Sequence, residues 1–299
     1  MTGVLAGISA RFADKPLLAT LHSRLVTMKT PRLLRAWRSA RLFLHLLLGL
    51  TEVALLFKRR DAASRARAIA RWSRRLCQIL GIEVEARGDH PELVPTNTVL
   101  VANHVSWLDI FVMNAVCPSR FVAKSEVRRW PLIGWLCHRT GTLFVARERR
   151  HDTVRVNRQI AHALSSGDCI AVFPEGSTTH GLDVASFNAS LLQPAIEAGA
   201  QLQPIALRYY DQHGLRSTAA AYVGEMSLIE SMGLLLAEPR MRVTLDYLPT
   251  LAAQEYGRRE LAQLAQQRIA ERVRSDIELV VAAPEPSQPA NGDDISPSR

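Results

Sequence analysis

The stretch NTVLVANHVSWLD, residues 97–109, begins as a short apolar strand over Asn97–Val101 and ends in a polar cluster at Asn103 and His104. A short apolar run bounded by polar residues reads as a strand. The same texture recurs down the chain. Phe121–Ala123 is followed by Lys124, Thr142–Val145 by Arg147, and Cys169–Phe173 by Pro174, Glu175 and Gly176. Leu202–Leu207 is a further apolar strand, and Ile82–Gly88 and Met241–Tyr247 alternate. Residues 153–166 carry helical spacing and end near Gly167. Strands separated by helices predict an α/β domain with a central mixed sheet flanked by helices. Residues able to do chemistry repeatedly follow strand ends, where such folds place their sites. Pro204 has no N–H for a ladder, so a bulge or a sheet edge is expected there.

Upstream of this domain the texture is different. Pro31 precedes a helical series through Leu33, Leu34 and Trp37 into the apolar run LFLHLLLGLTEVALLF, residues 42–57. Helical spacing resumes through Ala66, Ile69, Trp72, Leu76 and Leu80, closed by Gly81. Six basic residues and no acidic one lie between Arg24 and Arg41, and eight basic residues against Asp61 alone between Lys58 and Arg75. Within a formal charge of +9, this concentration of arginine around an apolar stretch points to an anionic lipid surface. The run is 16 residues long and holds His45 and Glu52, so a helix lying in the interface costs less than a span of roughly 20 apolar residues. No nucleic-acid partner is expected, since neither a binding motif nor interleaved aromatics accompany the arginines. The late start of the run and the basic stretch after it do not fit a secretory signal.

The segments expected are a basic, apolar helical membrane-association region over 1–80, the α/β domain over 81–250, an amphipathic helix over 251–283 and a disordered tail over 284–299. The tail is rich in Pro, Ser, Asn and Asp and carries too little apolar surface to order itself. The four cysteines, Cys77, Cys117, Cys137 and Cys169, lack CxxC spacing and fit reduced, buried thiols.

Three clusters carry chemistry. His104 and Asp109 are five residues apart on a turn that enters a helix. A carboxylate beside an imidazole fixes its tautomer and raises the basicity of the other nitrogen, and an imidazole exchanges protons near neutrality. A hydroxyl-bearing substrate can then serve as the nucleophile itself. The same residues also fit a local role, with Asn103 and Asp109 capping helix ends. The second cluster is FPEGSTT, residues 173–179, a strand end whose turn can offer backbone N–H groups to an anion while Glu175 meets a hydroxyl. The third is GTLFVAR, residues 141–147, where Arg147 can fork onto a phosphate; Lys124, Arg149 and Arg150 are further cations of this kind or only solvate the surface. His180 is a rival base. No HExxH-like spacing joins His104, Asp109, Glu175 and His180, so no metal is expected.

Together these motifs resemble the 1-acyl-sn-glycerol-3-phosphate acyltransferase family of glycerolipid acyltransferases. The family's NHxxxxD block is complete as Asn103, His104 and Asp109. Its GxxFxxR block matches Gly141, Phe144 and Arg147, and its FPEG(T/S) block matches Phe173 to Ser177. Its fourth block, a hydrophobic strand with Pro, matches Leu202–Leu207 around Pro204. Many members carry an arginine at the third position past the glycine, where this chain has Thr179.

The resemblance implies an enzyme that moves a fatty acyl group from acyl-CoA or acyl-carrier protein to the sn-2 hydroxyl of 1-acyl-glycerol-3-phosphate. His104 would be the general base and Asp109 its anchor. Lys124, Phe144, Arg147, Glu175, Gly176 and Ser177 would contact substrate, with the Gly176 N–H as an oxyanion donor. No cofactor beyond the acyl donor is implied, and the expected place is the cytoplasmic face of the inner membrane, among membrane lipids and the lysolipid acceptor. Because of Thr179, an ornithine-type lysolipid is an alternative acceptor. A non-catalytic lipid-binding protein is an alternative of another class, against which the intact His104–Asp109 pair counts.

Overall fold

The protein is described by a computed structural model covering residues 30–91, 95–129, 133–145 and 150–282. Residues 1–29, the tail and the Arg147 and Arg149 positions lie outside the described residues. The centre is an eight-stranded mixed sheet in the order β1-β7-β6-β2-β5-β3-β4, with β8 on β6. The strands are β1 (Ile82–Gly88), β2 (Thr98–Ala102), β3 (Arg120–Lys124), β4 (Leu143–Val145), β5 (Cys169–Val172), β6 (Gln201–Tyr210), β7 (Met241–Tyr247) and β8 (Leu251–Ala252). From β6 to β4 the neighbours run parallel, whereas β7 is antiparallel to β6 and β1 is parallel to β7. Every residue of β2 and β5 is buried, as unbroken apolar runs require of strands covered on both faces.

Pro204 is not at a sheet edge. It pairs with Val101 in the unbroken register of β2 with β6, in the middle of the sheet. On its other side the partner changes, from β8 at Gln201 and Leu202 to β7 from Ile205 onward. The missing N–H falls at that junction, where the Pro204 carbonyl still accepts the Leu248 N–H at 3.0 Å. The position thus needs an acceptor and no donor, which proline provides.

Helices cover both faces. They are α1 (Arg32–Leu55), α2 (Ala62–Leu80), α3 (Asp109–Val116), α4 (Ile133–Arg139), α5 (Arg150–Ser165), α6 (Gln193–Glu197), α7 (Leu228–Ala237) and α8 (Arg258–Ala282). On one face Leu76, Ile79 and Leu80 of α2 join Leu108, Val112 and Met113 against β6 and β7. On the other, Ile160 and Leu164 of α5 meet Leu261, Ile269 and Val273 of α8. Residues of α2 and α8 thus belong to the covering layers of the sheet. Cys77, Cys117 and Cys169 are buried and Cys137 is half-buried, all four outside any disulfide.

Helix α1 is two-faced. Its inner seam runs through Arg38, Leu42, His45, Gly49 and Glu52, a spacing of four and three that packs one helix on another. Two polar residues of the apolar run, His45 and Glu52, turn toward α2. His45 stacks on Trp72 at 4.6 Å and places Nε2 3.0 Å from the Trp72 carbonyl, and Glu52 accepts from Arg60 and Arg71 at 2.6 and 3.1 Å. Gly49 permits the approach, since a Cβ there would sit 2.2 Å from Trp72 Nε1. Arg38 is buried and donates to the Glu238 and Pro239 carbonyls at 2.7 Å each, tying α1 to the end of α7. The outer stripe, Leu33, Trp37, Phe43, Leu44, Leu48 and Leu55, is exposed. Among the described residues no helix is long and apolar enough to cross a membrane.

Candidate active site

The chain leaves β2 at Asn103, whose side chain is buried and makes a two-way bond with Leu207 of β6, donating to its carbonyl at 3.0 Å and accepting from its N–H at 2.8 Å. This lock sets where the next residue emerges. The His104 ring lies on Phe173, at the end of β5, with centroids 4.1 Å apart and planes 8° apart. A turn through Ser106 then starts α3, whose first residue is Asp109. A carboxylate in a first helical turn is favoured by the exposed N–H groups there.

His104 Nδ1 is 2.9 Å from Asp109 Oδ2, and the Asp109 side chain is completely buried while that of His104 keeps 19% exposure. The same Oδ2 accepts the backbone N–H groups of Val105 and Ser106 at 2.7 and 2.9 Å, and Oδ1 accepts the Tyr209 hydroxyl at 2.8 Å. The carboxylate is thus wholly engaged as an acceptor. Nδ1 must carry its proton toward it, and the lone pair belongs to Nε2. Burial, reinforced by Asp109, pushes the Tyr209 phenol well above its usual range, so it stays a donor.

Glu175 also takes a place in this frame. Its Oε1 accepts the His104 N–H at 2.6 Å and its Oε2 the Ala185 N–H at 2.8 Å. Both oxygens therefore face backbone N–H groups. Burial raises its carboxyl, the two N–H bonds oppose this, and the balance leaves it at about 7. The Thr179 N–H and hydroxyl both donate to the His104 carbonyl, at 2.8 and 3.2 Å, and the Thr178 hydroxyl donates to the Tyr222 carbonyl. The backbone on both sides of the His104 α-carbon is thus held by the loop after β5.

The remaining positions expected to touch substrate spread along the same sheet edge. Lys124 ends β3 and pairs with Val145 of β4, while Phe144, half-buried, pairs with Ala123. Since β2, β5, β3 and β4 are parallel neighbours, these ends lie on the side of His104, about 10–15 Å along the edge. Arg147 lies outside the described residues. Ser177 is exposed on the loop, as is His180, whereas it is His104 that holds the carboxylate. The Gly176 N–H donates to the Phe173 carbonyl at 3.1 Å, inside the turn. Among the described residues no three His, Cys, Asp or Glu side chains gather as metal ligands would.

Tyr209, and the locking roles of Asn103 and Phe173, are not among the contacts expected from the sequence. Asn103 and Phe173 stand in the quoted motifs; Tyr209 had as its signal only a phenol at the end of an apolar strand. Tyr209→Phe removes one hydrogen bond to a buried charge, an expected loss of about 1.5–3 kcal/mol of stability. A roughly tenfold fall in turnover is expected with it, as Asp109 loses one restraint. Denaturant unfolding and turnover measured on the same preparation check both.

Glu175→Gln tests the loop frame and has a defined pH signature. The folded carboxyl titrates at about 7, above its ordinary 4.5. Its contribution to stability is therefore fully present below pH 4.5 and is lost as the pH rises through about 7. Glutamine has no such dependence, so the variant-minus-native difference in Tm is expected to climb between pH 5 and 8. A difference flat across that range contradicts the assignment.

Residues 83–208 match the family described as Acyltransferase. The chain is 38% identical over 238 residues to the lyso-ornithine lipid O-acyltransferase of Pseudomonas aeruginosa, covering 78% of this chain and 90% of that protein. It is 37% identical over 192 residues to the 1-acyl-sn-glycerol-3-phosphate acyltransferase of Neisseria meningitidis, covering 64% of this chain and 74% of that one. Among solved structures it is similar to the 1-acyl-sn-glycerophosphate acyltransferase of Thermotoga maritima, with a TM-score of 0.58 and 20% identity over 84% of this chain and 100% of that chain, a likeness of fold.

Proposed function

Because the chain belongs to the acyltransferase family, as an O-acyltransferase of lysolipid-type substrates, we propose that His104 is the general base that activates the acceptor hydroxyl. The observation that carries this is the Asp109 carboxylate on His104 Nδ1 at 2.9 Å, which leaves Nε2 as the basic nitrogen. Nε2 takes the hydroxyl proton as the oxygen attacks the thioester carbonyl of acyl-CoA or acyl-carrier protein. The C–O bond forms, the C–S bond breaks, and the imidazolium returns its proton to the departing thiolate. The thioester supplies the driving force, and no further cofactor enters this scheme. The tetrahedral oxyanion needs donors that become available around the bound donor.

Two acceptors are to be weighed. The motif series leads to 1-acyl-glycerol-3-phosphate. Two observations support lyso-ornithine lipid ahead of it. The family resemblance implies an arginine in many members where this chain has Thr179, and here its N–H and hydroxyl are turned onto His104, so this position offers a phosphate no cation. The Pseudomonas relative, matched over 90% of its length, is named for that acceptor. A purified-enzyme assay with labelled acyl thioester and both lysolipids decides between them. Transfer confined to lysophosphatidate sinks the ornithine reading, and transfer to neither sinks both.

The site sits beside a lipid-facing surface in this reading. The exposed apolar stripe of α1 continues onto Ile229 and Leu234 of α7, and Trp107 of the catalytic turn donates to Ser231 of α7 at 3.0 Å. An interfacial helix with arginines at its margin binds anionic bilayers by apolar burial and charge together. Flotation with anionic and neutral vesicles tests this, and failure to float with either contradicts it.

A further inference from the structure

Behind the catalytic loop, on the sheet face opposite Tyr209, lies a second polar cluster. Arg208 and Tyr210 flank Tyr209 in β6 and therefore point to the α8 side. Arg208 is buried, 2.8 Å from Asp246 and 3.1 Å from Asp276 of α8. The Tyr210 hydroxyl donates to Asp276 at 2.5 Å. Into this cluster comes Arg216, whose side chain is 11% exposed. Its Nη1 donates to the Val273 carbonyl at 2.8 Å and to Asp276 at 3.1 Å, and its guanidinium lies 5.7 Å from the centre of the Tyr210 ring.

The other arm of that guanidinium reaches the catalytic loop. Arg216 Nη2 donates to the Gly181 carbonyl. The Gly181 N–H in turn meets the Thr179 hydroxyl at 3.3 Å, and Thr179 donates to the His104 carbonyl from two atoms. Gly181 presses on the catalytic turn itself, since a Cβ there would lie 2.8 Å from Val105 Cγ2. A planar fork held on one side by a carboxylate and a helix carbonyl is well suited to fix a second carbonyl on the other.

We infer that Arg216 is a positioning residue for the transfer reaction: anchored on Asp276 and the Val273 carbonyl of α8, it clamps Gly181 and so holds the post-β5 loop against the backbone of His104. The inference rests on His104 being the base. Turnover is sensitive to placement on this scale, an ångström costing up to about a hundredfold. The residue acts through the loop, so it governs kcat and leaves donor affinity alone.

The test uses the full chain, with acyl-CoA and a lysolipid acceptor, and turnover is normalised to folded protein by near-ultraviolet circular dichroism. R216A is expected to lower kcat about 10- to 100-fold with the KM for acyl-CoA within twofold of native. R216K keeps the charge for Asp276 but cannot fork, and is expected to recover part of that loss. R274A breaks an exposed pair with Asp183 in the same loop, 2.6 Å apart, and is expected to leave kcat unchanged. Native kcat per folded molecule in both Arg216 variants, or a loss confined to KM, overturns the inference. If R216A does not fold, R216K alone decides it in the same terms. H104A separates the two readings. If it keeps turnover, the base assignment falls and this inference with it; if it is inactive while the Arg216 variants turn over normally, only this inference falls.

Discussion

Alanine at position 104 is expected to reduce acyl transfer by about 10³- to 10⁴-fold, the range that a positioned acid–base group contributes. The ring that is lost stacks on Phe173 and reaches solvent with only a fifth of its side chain, so the scaffold around it has little to collapse onto. The backbone of His104 remains bonded to Glu175 and Thr179 in such a variant, since those contacts use its N–H and carbonyl. The fold is accordingly expected to survive. Circular dichroism and thermal unfolding should match the native protein while product formation from labelled acyl thioester falls to near background. Full turnover in a folded His104→Ala protein would remove the imidazole from the mechanism and return attention to the exposed His180.

Asp109→Asn is expected to be as damaging to turnover and more damaging to stability. Four donors converge on the Asp109 carboxylate: His104 Nδ1, the N–H groups of Val105 and Ser106, and the Tyr209 hydroxyl. An amide offers one oxygen and brings two N–H groups of its own. If its oxygen serves Val105 and Ser106, its nitrogen faces the phenol; in the opposite flip it faces two backbone donors. Each buried group left without a partner costs about 1–3 kcal/mol. An NH₂ presented to His104 Nδ1 also selects the wrong tautomer, a change that lowers turnover by about 10⁴-fold in a serine protease of comparable geometry. The expected outcome is a 10³- to 10⁴-fold loss per folded molecule together with a lower denaturation midpoint. A variant with native activity would show that the pair is an accident of packing.

How much of this was legible beforehand depends on sequence distance. Asn103, His104 and Asp109 follow an apolar strand within seven residues, so their spacing made the pair a candidate beside a local capping role, and the family resemblance favoured the pair. The parallel strands β2, β3, β4 and β5 were legible for the same local reason. Tyr209 was not, because it lies 100 residues from Asp109 and a phenol at the end of a buried strand has no periodic signature. Glu175 was expected to meet substrate, but its two oxygens serve backbone N–H groups of His104 and Ala185, and nothing local distinguishes these uses of a carboxylate. His45 and Glu52 read as polar interruptions of an apolar run; only the partner helix α2 reveals that they share its inner seam. Pro204 was misjudged because the ladder rule assumes one neighbour per side, and β6 changes neighbours at that residue.

The tie between Arg38 and the carbonyls of Glu238 and Pro239 spans 200 residues, and this has a consequence for biosynthesis. At translation speeds of ~5–20 residues per second, about 10–40 s separate the appearance of α1 from that of its anchor. For most of that interval α1 and α2 can pair through Trp72 and Gly49, since both are complete once Leu80 is made. The nascent hairpin then presents its leucine stripe with nothing to seat it on α7. A bilayer encountered in that time would meet the greasy helix before the domain is complete, so that the enzyme would mature already lying on a lipid surface. Ribosome-bound chains ending before residue 228 should therefore partition onto anionic vesicles; chains that stay in solution would show that attachment waits for the finished domain.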